Sequence, residues 1–479
     1  MYKALIPSIF VSLFGAIPAS ADEEPARPRI LDLRAEEDWR ALRGDGGKPL
    51  PLDGLKYISL DDDAYLTLGG QLRLAYELFI NERYGEVEQD DSGSLLLRMM
   101  PHLNFRLGPA FRVFAELKST HEAGRDGGGT PVDVDRLDAH QLFVEAALGD
   151  PRQTAEASLA LRLGRQELFY GVGRLIDVRD GPPVRRTFDS VRLRFDSSVV
   201  RADVLAALEV PTRPGVFDDG FNDDGAGRPR VWGGYAQTKP IPLGAGYGLG
   251  FDLYYIGAEQ AGLVFADGTG EEIRHSVGGR WWTQSRTFRH EFEGTYQRGT
   301  LEDADTGVET PVEAWGVEGS VGYTFADLET KPTFQLTGGA QSGDGTPGDG
   351  RLGTYRAPFP NLRWAGATTG VGPGNGFGGT FSAGFNPRED VNLTTIARIY
   401  SRLELRDAPY TPAGFPIRVN PESRARFLGA SVSLNVTWRP HPYVTTYLRG
   451  EYFEPGTYLE DTPPAKKTGF ATVGSDLKF

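Results

Sequence analysis

Apolar and polar residues alternate with a period of two through most of this chain, and no other feature constrains its fold as strongly. From Leu66 to Ile80 the even positions are apolar or glycine, whereas the odd ones include Thr67, Gln71 and Arg73. Successive side chains of an extended strand point to opposite faces, so this pattern predicts strands with one apolar and one polar face. We count eighteen such segments, at residues 64–80, 94–107, 110–121, 138–148, 157–170, 187–196, 199–209, 231–240, 247–257, 273–284, 286–298, 313–326, 331–342, 378–386, 391–406, 427–439, 442–453 and 467–479.

The connections between these segments alternate in length. Short ones, such as 108–109 and 197–198, follow the even-numbered segments, and long ones, such as 122–137, 301–311 and 343–377, follow the odd-numbered segments. A soluble sandwich or propeller gives no reason for such alternation. The layout is typical of outer-membrane proteins. The sequence therefore predicts an all-β chain that forms a single transmembrane antiparallel β-barrel of 18 strands, with short periplasmic turns, long extracellular loops and both termini in the periplasm.

The N-terminus has the features of an export signal. Lys3 is followed by an apolar run over 4–17, then by Pro18 and the small residues Ala19-Ser20-Ala21. This run is shorter than the roughly 20 residues that a membrane-spanning helix needs. We therefore interpret residues 1–21 as a cleaved signal peptide.

Residues 22–63 do not alternate, and we expect them to form a periplasmic leader. Within this leader, we predict one short helix from Arg34 to Arg43, with Asp32 as its N-cap. A disordered tail is the alternative. The outer-membrane barrel is then expected over residues 64–479.

Composition excludes several classes of function. The chain has 51 basic and 65 acidic residues and a net charge of -14, which argues against a nucleic-acid partner. It has no cysteine, and its six histidines are not paired at metal-ligand spacing. Walker and nucleophile-elbow motifs are absent from the sequence. We therefore expect no catalytic residue, no metal, no cofactor and no enzyme, and we interpret the acidic segments 218–224 and 343–350 as solvated loops rather than calcium sites.

Charge is distributed unevenly between the two faces of the strands. If the apolar faces contact lipid, the polar faces line the lumen, and there the basic side chains outnumber the acidic ones. Basic groups in a pore favour anions, and arginine binds carboxylates through two hydrogen bonds. The alternative is that mixed charges merely fill a wet lumen. The candidates for pore-lining and substrate-binding residues are Arg73, Arg98, Arg106, Arg112, Lys118, Arg162, Arg192, Arg194, Arg201, Arg398, Arg402 and Arg449.

Two stretches of the chain resemble the alginate export family of outer-membrane porins. The first is Leu163-Gly164-Arg165-Gln166, continued by Asp177-Val178-Arg179-Asp180-Gly181-Pro182 and Arg185-Arg186-Thr187-Phe188-Asp189. The second is Leu55-Lys56-Tyr57-Ile58 with Tyr65-Leu66-Thr67-Leu68-Gly69-Gly70. The resemblance implies an eighteen-stranded barrel whose basic lumen passes the polyuronate alginate outward. It also implies roles for basic groups on or beside the fifth and sixth strands, namely Arg165, which joins the pore-lining candidates, with Gln166, Arg174, Arg179, Arg185 and Arg186.

Two positions conflict with strict alternation. Arg165 would point to lipid, so a bulge or the strand end is expected beside it. Pro101 lies inside a strand and lacks the N–H that a ladder needs, which also predicts a bulge.

Together these observations predict a porin in the outer membrane of a Gram-negative bacterium. It would give passive, anion-selective passage to an anionic, uronate-type polysaccharide or oligosaccharide. The expected partners are outer-membrane lipid and lipopolysaccharide, the saccharide and a periplasmic scaffold. A general or receptor-type porin for other small solutes and an outer-membrane binding or adhesion barrel are the alternatives.

Overall fold

The computed structural model describes residues 28–43, 50–149, 157–221, 227–244, 246–265, 268–361, 365–418 and 422–479. The expected signal peptide, residues 1–21, lies outside these ranges, as do Asp223 and Asp224 of the acidic segment 218–224. Within the described ranges, every helix is too short and too polar to cross a bilayer.

Strands dominate the structure and close on themselves. One sheet of 20 strands contains two short strands, Ile58–Ser59 and Ile241–Gly244, that lie outside the ring, which leaves 18 in a closed antiparallel barrel. The barrel strands are β1 Ala64–Ile80, β2 Ser94–Leu107, β3 Phe111–Ala123, β4 Asp135–Leu148, β5 Ser158–Gln166, β6 Phe188–Asp196, β7 Val200–Glu209, β8 Arg230–Thr238, β9 Tyr247–Phe265, β10 Gly268–Gln284, β11 Phe288–Asp303, β12 Glu309–Thr324, β13 Thr333–Gln341, β14 Gly376–Arg388, β15 Val391–Arg402, β16 Phe427–His441, β17 Val444–Pro455 and β18 Thr468–Lys478. The predicted 18-stranded antiparallel barrel is confirmed.

Barrel closure follows from pairing between the first and last strands. β18 pairs with β1 over ten residues on each strand, from Gln71 opposite Lys478 to Ile80 opposite Gly469. The C-terminal residue adds to this seam, because the Gly70 and Phe479 backbones exchange two hydrogen bonds of 2.9 and 3.0 Å. No edge strand of the ring is therefore left unpaired at the seam.

The two faces of the wall differ as the alternation predicts. Outward positions carry exposed apolar side chains, for example Leu72, Leu74 and Leu336. Inward positions carry polar side chains that are largely buried, for example Arg73 and Asp203. The outside of the barrel is apolar and its interior is polar, the reverse of a water-soluble barrel.

Connections at one end of the barrel are short, including 108–110, 197–199, 389–390 and 442–443. Most connections at the other end are long, among them 81–93, 167–187, 210–229, 342–375 and 403–426. The expected long connection at 301–311 is wrong, because β11 continues to Asp303 and β12 already begins at Glu309. The ladder extends there because Leu301 and Val312 pack inward against Leu352.

The leader differs from the expected single helix. It forms two short 3-10 helices, Arg34–Glu36 and Arg40–Arg43. Asp32 does not cap the first one, since its carboxylate accepts a hydrogen bond of 2.6 Å from Lys478 Nζ instead. Glu37 separates the two turns in an extended conformation and accepts hydrogen bonds from Leu31 N (3.0 Å) and Trp39 Nε1 (2.9 Å). Contacts with the barrel end and the Glu37 carboxylate therefore replace helical hydrogen bonds. The other helices among the described residues are single turns at Asp53–Lys56, Glu82–Gly85 and Thr457–Glu460.

The expected bulge at Pro101 is also wrong. Pro101 stays in register with Gly70 on β1. On the β3 side, the pairing is interrupted between Met99 and His102, and it resumes in the same register. The missing N–H of proline is thus accommodated by a local gap in one ladder.

A register shift occurs instead between β3 and β4. There Gln141 lies opposite Glu116 and Ala139 lies opposite Leu117, so His140 is an extra residue. Both His140 and Gln141 consequently point into the barrel, where they are buried.

The interior of the barrel contains its own apolar core. Loop residues Leu175, Ile176 and Phe359 pack in one cluster with the wall residues Phe188 and Tyr254. The loops themselves are joined by backbone hydrogen bonds, from Asp177 N to Phe359 O (2.8 Å) and from Phe359 N to Leu175 O (2.9 Å). We call the connection 167–187 and the described residues of the connection 342–375, namely 342–361 and 365–375, the inner loops, because both fold into the lumen.

Candidate functional site

The first inner loop, residues 167–187, crosses the bore. Near its C-terminal end, Asp180 forms ion pairs with Arg73 of β1 (3.1 Å) and Arg98 of β2 (2.8 Å). Nearer its beginning, Arg174 pairs with Glu291 of β11 and Glu318 of β12, each at 2.7 Å, and with Glu293. Since β2 and β11 stand half a ring apart, this loop bridges opposite sides of the barrel.

Three arginines surround the Asp180 carboxylate, and we call this group, Arg73, Arg98 and Arg185, the arginine seat. Besides the two wall residues, Arg185 of the same loop contacts its carboxylate at 3.0 Å. Burial raises the pKa of Asp180, but the three guanidinium groups outweigh burial and hold this pKa well below its ordinary value. Beside the seat lies a cavity of about 10 Å³, room for about one water, and Tyr447 and Arg449 of β17 line it. The arrangement shows that these arginines can hold an ionised carboxylate inside the lumen.

The leader covers another group of basic residues. Glu36 pairs with Arg194 (2.8 Å) and Arg162 (3.3 Å), and Ala35 O accepts a hydrogen bond of 2.6 Å from Arg112. Burial raises the pKa of Glu36, yet the neighbouring arginines lower it well below its ordinary value. The leader therefore lies inside the barrel, against the lumen faces of β3, β5 and β6.

The second inner loop, residues 342–375, ties distant strands together. Arg356 pairs with Glu272 of β10 at 2.6 Å. Further along, Ala365 O accepts a hydrogen bond of 3.0 Å from Tyr400 of β15, and Thr368 Oγ1 donates one of 2.6 Å to Glu451 of β17. This loop therefore also spans the lumen.

The sequence-predicted candidates face the lumen, but most are buried and paired with acids. Examples are Lys118 with Asp135 (2.7 Å) and Asp219 (3.1 Å), and Arg398 with Glu451 (3.3 Å). The buried candidates are Arg73, Arg98, Arg106, Arg112, Lys118, Arg162, Arg165, Arg192, Arg398 and Arg402. Arg194 and Arg449 are half-buried, and Arg201 is exposed at the end of its strand. We call the lumen face of β18 and β1–β7, with its basic residues and their acidic partners, the charged wall.

Arg165 reaches the interior although strict alternation points it outward. It stands opposite the exposed Leu142, yet its own side chain is fully buried and pairs with Asp189 at 2.8 Å. The preceding Gly164 has φ +125, and a Cβ there would approach Leu142 O to 2.3 Å. The register does not shift, so the unusual backbone of Gly164 near the strand end turns Arg165 inward.

The other residues carried over from the family resemblance divide between the loop and the wall. Gln166 is buried at the end of β5. Arg186 pairs with Glu209 (2.8 Å) and lies over the ring of Phe359, and Arg179 has a left-handed backbone with φ 54. With Arg174 and Arg185, they fasten the inner loop to its surroundings.

A second surface of the lumen was not among the candidates because its side chains carry no charge. It lies on β12–β16 in the half nearest the short connections, where the lumen-facing side chains are small or neutral and half-buried. The charged residues Glu318, Arg398 and Arg402 lie on the same strands nearer the long connections. We call the uncharged half the neutral wall, and its members are Ser320, Gly322, Gln335, Thr337, Thr380, Ser382, Gly384, Asn392, Thr394, Asn435 and Thr437. Water therefore reaches the lumen along this wall more freely than along the charged wall. Inward Ser, Thr and Asn at alternate positions were the available signal.

One acidic cluster has spacing that suits a metal ion. Carboxylate oxygens of Asp135, Asp138 and Asp219 lie within 4.8 Å of one another. The Lys118 ammonium already contacts two of these carboxylates and supplies positive charge. The cluster is therefore an ion-paired part of the charged wall.

Comparison with known proteins identifies a family for this chain and several structures with a similar fold. A family model described as alginate export matches residues 64–471. The structure of OccAB1 from Acinetobacter baumannii is similar with a TM-score of 0.56 and 12% identity, over 89% of this chain and 99% of that chain. OprD from Pseudomonas aeruginosa gives 0.52 and 10%, over 88% and 96%. OccK2 (OpdF) from Pseudomonas aeruginosa in complex with glucuronate gives 0.51 and 10%, over 87% and 99%.

Two curated proteins match only in part. Protein sey1 of Talaromyces stipitatus is 24% identical over 180 residues, 36% of this chain and 18% of that protein. Protein SEY1 of Ajellomyces capsulatus is 26% identical over 165 residues, 33% of this chain and 17% of that protein. The chain thus spans less than a fifth of the length of these relatives, and they carry no argument about its barrel.

Proposed function

The chain belongs to the alginate export family, and from that premise we propose that this outer-membrane porin gives passive, anion-selective passage to an anionic, uronate-type polysaccharide or oligosaccharide. The observation that carries the proposal is the seat of Asp180, where the lumen already holds an ionised carboxylate between Arg73, Arg98 and Arg185. A uronate chain repeats the same carboxylate on each sugar. Successive arginines could therefore bind successive sugars with the geometry that Asp180 displays.

The fold comparison supports this class of solute. OccK2 (OpdF), similar in fold to this chain, is solved in complex with glucuronate, a monomeric uronate. In this chain the corresponding chemistry would come from arginine side chains that reach the accessible part of the lumen.

The accessible lumen supports passage rather than tight binding. Arg289 stands opposite Gly322 and Arg449 opposite Asn435, so both half-buried arginines flank the neutral wall. Hydroxyl and amide groups between them offer hydrogen bonds to sugar hydroxyls without adding charge. Conduction requires binding that is favourable enough for entry and weak enough for exit, which this combination provides.

We further propose that the short connections and both termini face the periplasm. The alternation of connection lengths supports this orientation. The protein would then act as a transport channel without catalysing a reaction. The residues most able to suggest an enzyme, Glu291 and Glu293, both pair with Arg174.

A second candidate is a general porin for other small solutes. The neutral wall favours it, because uncharged polar side chains do not select for anions. The two candidates differ in the sign and strength of ion selectivity, which makes them separable.

The test is the reversal potential of single channels in a planar bilayer under a salt gradient, followed by titration with oligouronates and with neutral oligosaccharides of equal length. Our proposal expects anion selectivity and current block by the uronates. Arg449→Gln should weaken that block about tenfold, since a hydrogen bond to a charged group contributes about 1.5 kcal/mol.

Arg201→Gln is the matched control, because Arg201 is exposed at the barrel end and pairs with Asp196 at 2.7 Å. It should leave block unchanged. Cation selectivity, or equal block by neutral sugars, would contradict the proposal and favour the general porin.

A further inference from the structure

The outward face of the barrel carries a shallow groove of about 400 Å³. It runs from Thr395 of β15 across β16, β17 and β18 to β1, and its lining includes Leu78, Val432, Leu434, Gly450, Tyr452 and Ala471. The recess arises because two small residues meet in register on neighbouring strands, Gly450 of β17 and Ala471 of β18. A Cβ added to Gly450 would find its nearest atom, Phe470 O, 4.0 Å away, so the space above this glycine is open.

The groove ends where the outward face becomes charged. Tyr452 and Gly469 are in register at its upper edge, towards the end with the long connections. The next outward residues are Glu454 on β17 and Lys467 just before β18, which form an exposed ion pair of 3.0 Å. A change from apolar to charged side chains marks the level at which a barrel leaves the hydrocarbon core. The groove therefore lies directly beneath the interface at this end.

Four cationic side chains stand above the groove at the same end, beside exposed acids such as Glu454 and Glu460. Lys466 and Lys467 are exposed just before β18, and Arg424 and Arg426 are exposed just before β16. Clusters of lysine and arginine at a membrane interface recognise anionic lipid headgroups. An apolar groove below such a cluster matches a ligand with acyl chains below a phosphorylated headgroup.

We propose that this groove binds an acyl chain of lipid A, the phosphorylated glycolipid of the outer leaflet, with its phosphates near Lys466 and Lys467. The proposal rests on the orientation proposed above, in which the long connections face outward. Lipid tails are as apolar as the groove, so an acyl chain gains affinity there from van der Waals packing against the recessed surface, and the headgroup gains it from the cationic side chains above.

The experiment measures lipopolysaccharide retained by the purified barrel in mild detergent, by native mass spectrometry. Gly450→Leu fills the groove and should lower retained lipid A about tenfold, the effect of losing roughly ten close carbon–carbon contacts between the acyl chain and the groove. Gly338→Leu is the matched control, because Gly338 is also exposed and outward on β13, with Gly378 O 3.8 Å from an added Cβ. It should retain lipid A like the unchanged protein.

Lys467→Gln gives a second test at an exposed position that does not affect folding. It should weaken retention, with a smaller difference at high salt. Equal retention of lipid A by Gly450→Leu and Gly338→Leu would contradict the groove as the binding site. Equal competition by phosphatidylglycerol vesicles would overturn lipid A as its occupant. Ion selectivity should not change in these variants, so this inference and the proposed transport function fail separately.

Discussion

The charged wall and the neutral wall belong to the same barrel, yet their side chains differ in how much of their surface is exposed to water. On the charged wall, large side chains such as Arg73 and Arg98 are 4% and 1% exposed. On the neutral wall, Thr337 and Thr380 stand opposite each other and are half-buried, although they are much smaller. Inserted segments cause this difference, because the leader and the first inner loop supply Glu36 and Asp180 to arginines of the charged wall.

The comparison shows that facing the lumen and lining the pore are separate properties. Alternation places a side chain inside the barrel, but the inserted segments decide whether a solute can reach it. Charge on the charged wall is therefore mainly structural, and we expect the solute to pass along and beside the neutral wall. The predictions below test this division.

The largest effect is expected for Arg73→Met on the charged wall. This change leaves Asp476 buried without its arginine partner and removes one of the three guanidinium groups around Asp180. Removing one member of a buried pair costs about 3–5 kcal/mol. The free energy of unfolding in lipid vesicles, measured with urea, should fall by that amount.

Its control is Arg201→Met, where the lost ion pair involves a side chain that is 50% exposed. An exposed pair contributes only about 0–1 kcal/mol. Similar losses for the two variants would remove the distinction between buried and accessible charge.

A smaller effect is expected for Asp180→Asn, which removes the carboxylate held by the arginine seat. The arginines would then present uncompensated positive charge to the bore. Anion over cation permeability should rise about fivefold, the effect of about 1 kcal/mol between charges 4 Å apart in water. Bilayer reversal potentials measure it, and Asp349→Asn, at an exposed site in the other inner loop, should change nothing. A fall in anion selectivity would show that Asp180 does not compensate these arginines.

On the neutral wall, charge should alter selectivity without altering stability. Thr380→Arg should raise, and Thr380→Glu should lower, anion permeability about twofold in 0.1 M salt, where screening weakens distant charges. The free energy of unfolding should change by less than about 0.5 kcal/mol for either variant. Equal conductance and selectivity in both variants would mean that ions do not pass along this wall.

The smallest effect is expected when the pH of the solution is lowered. Because the folded pKa of Asp180 lies well below its ordinary value, its stabilising contribution is present above the unfolded pKa of about 3.9 and is lost only as pH falls through the folded pKa. Other carboxylates titrate in this range, since burial raises the pKa of Asp407 to about 6, so the quantity to measure is the difference in ion selectivity between the unchanged protein and Asp180→Asn. This difference should stay constant from pH 7 to about pH 4. A difference that shrinks within that interval would show that Asp180 takes up a proton there, against the low pKa that its arginines give it.

Local pattern was enough to predict the barrel, because side-chain alternation repeats within each strand and does not depend on distant contacts. β1 and β2 begin and end where the sequence predicts, at 64–80 and 94–107. The path of the inner loops could not be predicted in this way. Asp180 meets Arg73 over 107 residues of chain, and the long connection 167–187 carries no periodic signal of where it docks.

The candidate site was predicted only in part for the same reason. Inward arginines were identified correctly as lumen-facing, but their partners Glu36 and Asp180 lie outside the alternating segments. Arg165 depends on the left-handed backbone of Gly164, which alternation does not report. The neutral wall is visible in the sequence as inward Ser, Thr and Asn, but these residues carry no charge that would mark them as a site.

The seam between β1 and β18 has a consequence for the order of assembly. Arg73 pairs with Asp476 across a separation of 403 residues, so this ion pair forms only when the last strand arrives. Asp180 docks on the same arginine from within the barrel. The other partners of Asp180, Arg98 and Arg185, precede β18 in the chain, so the last strand adds a second carboxylate to Arg73 in a site that earlier residues already form. One arginine side chain thus links closure of the ring to the position of the loop inside it.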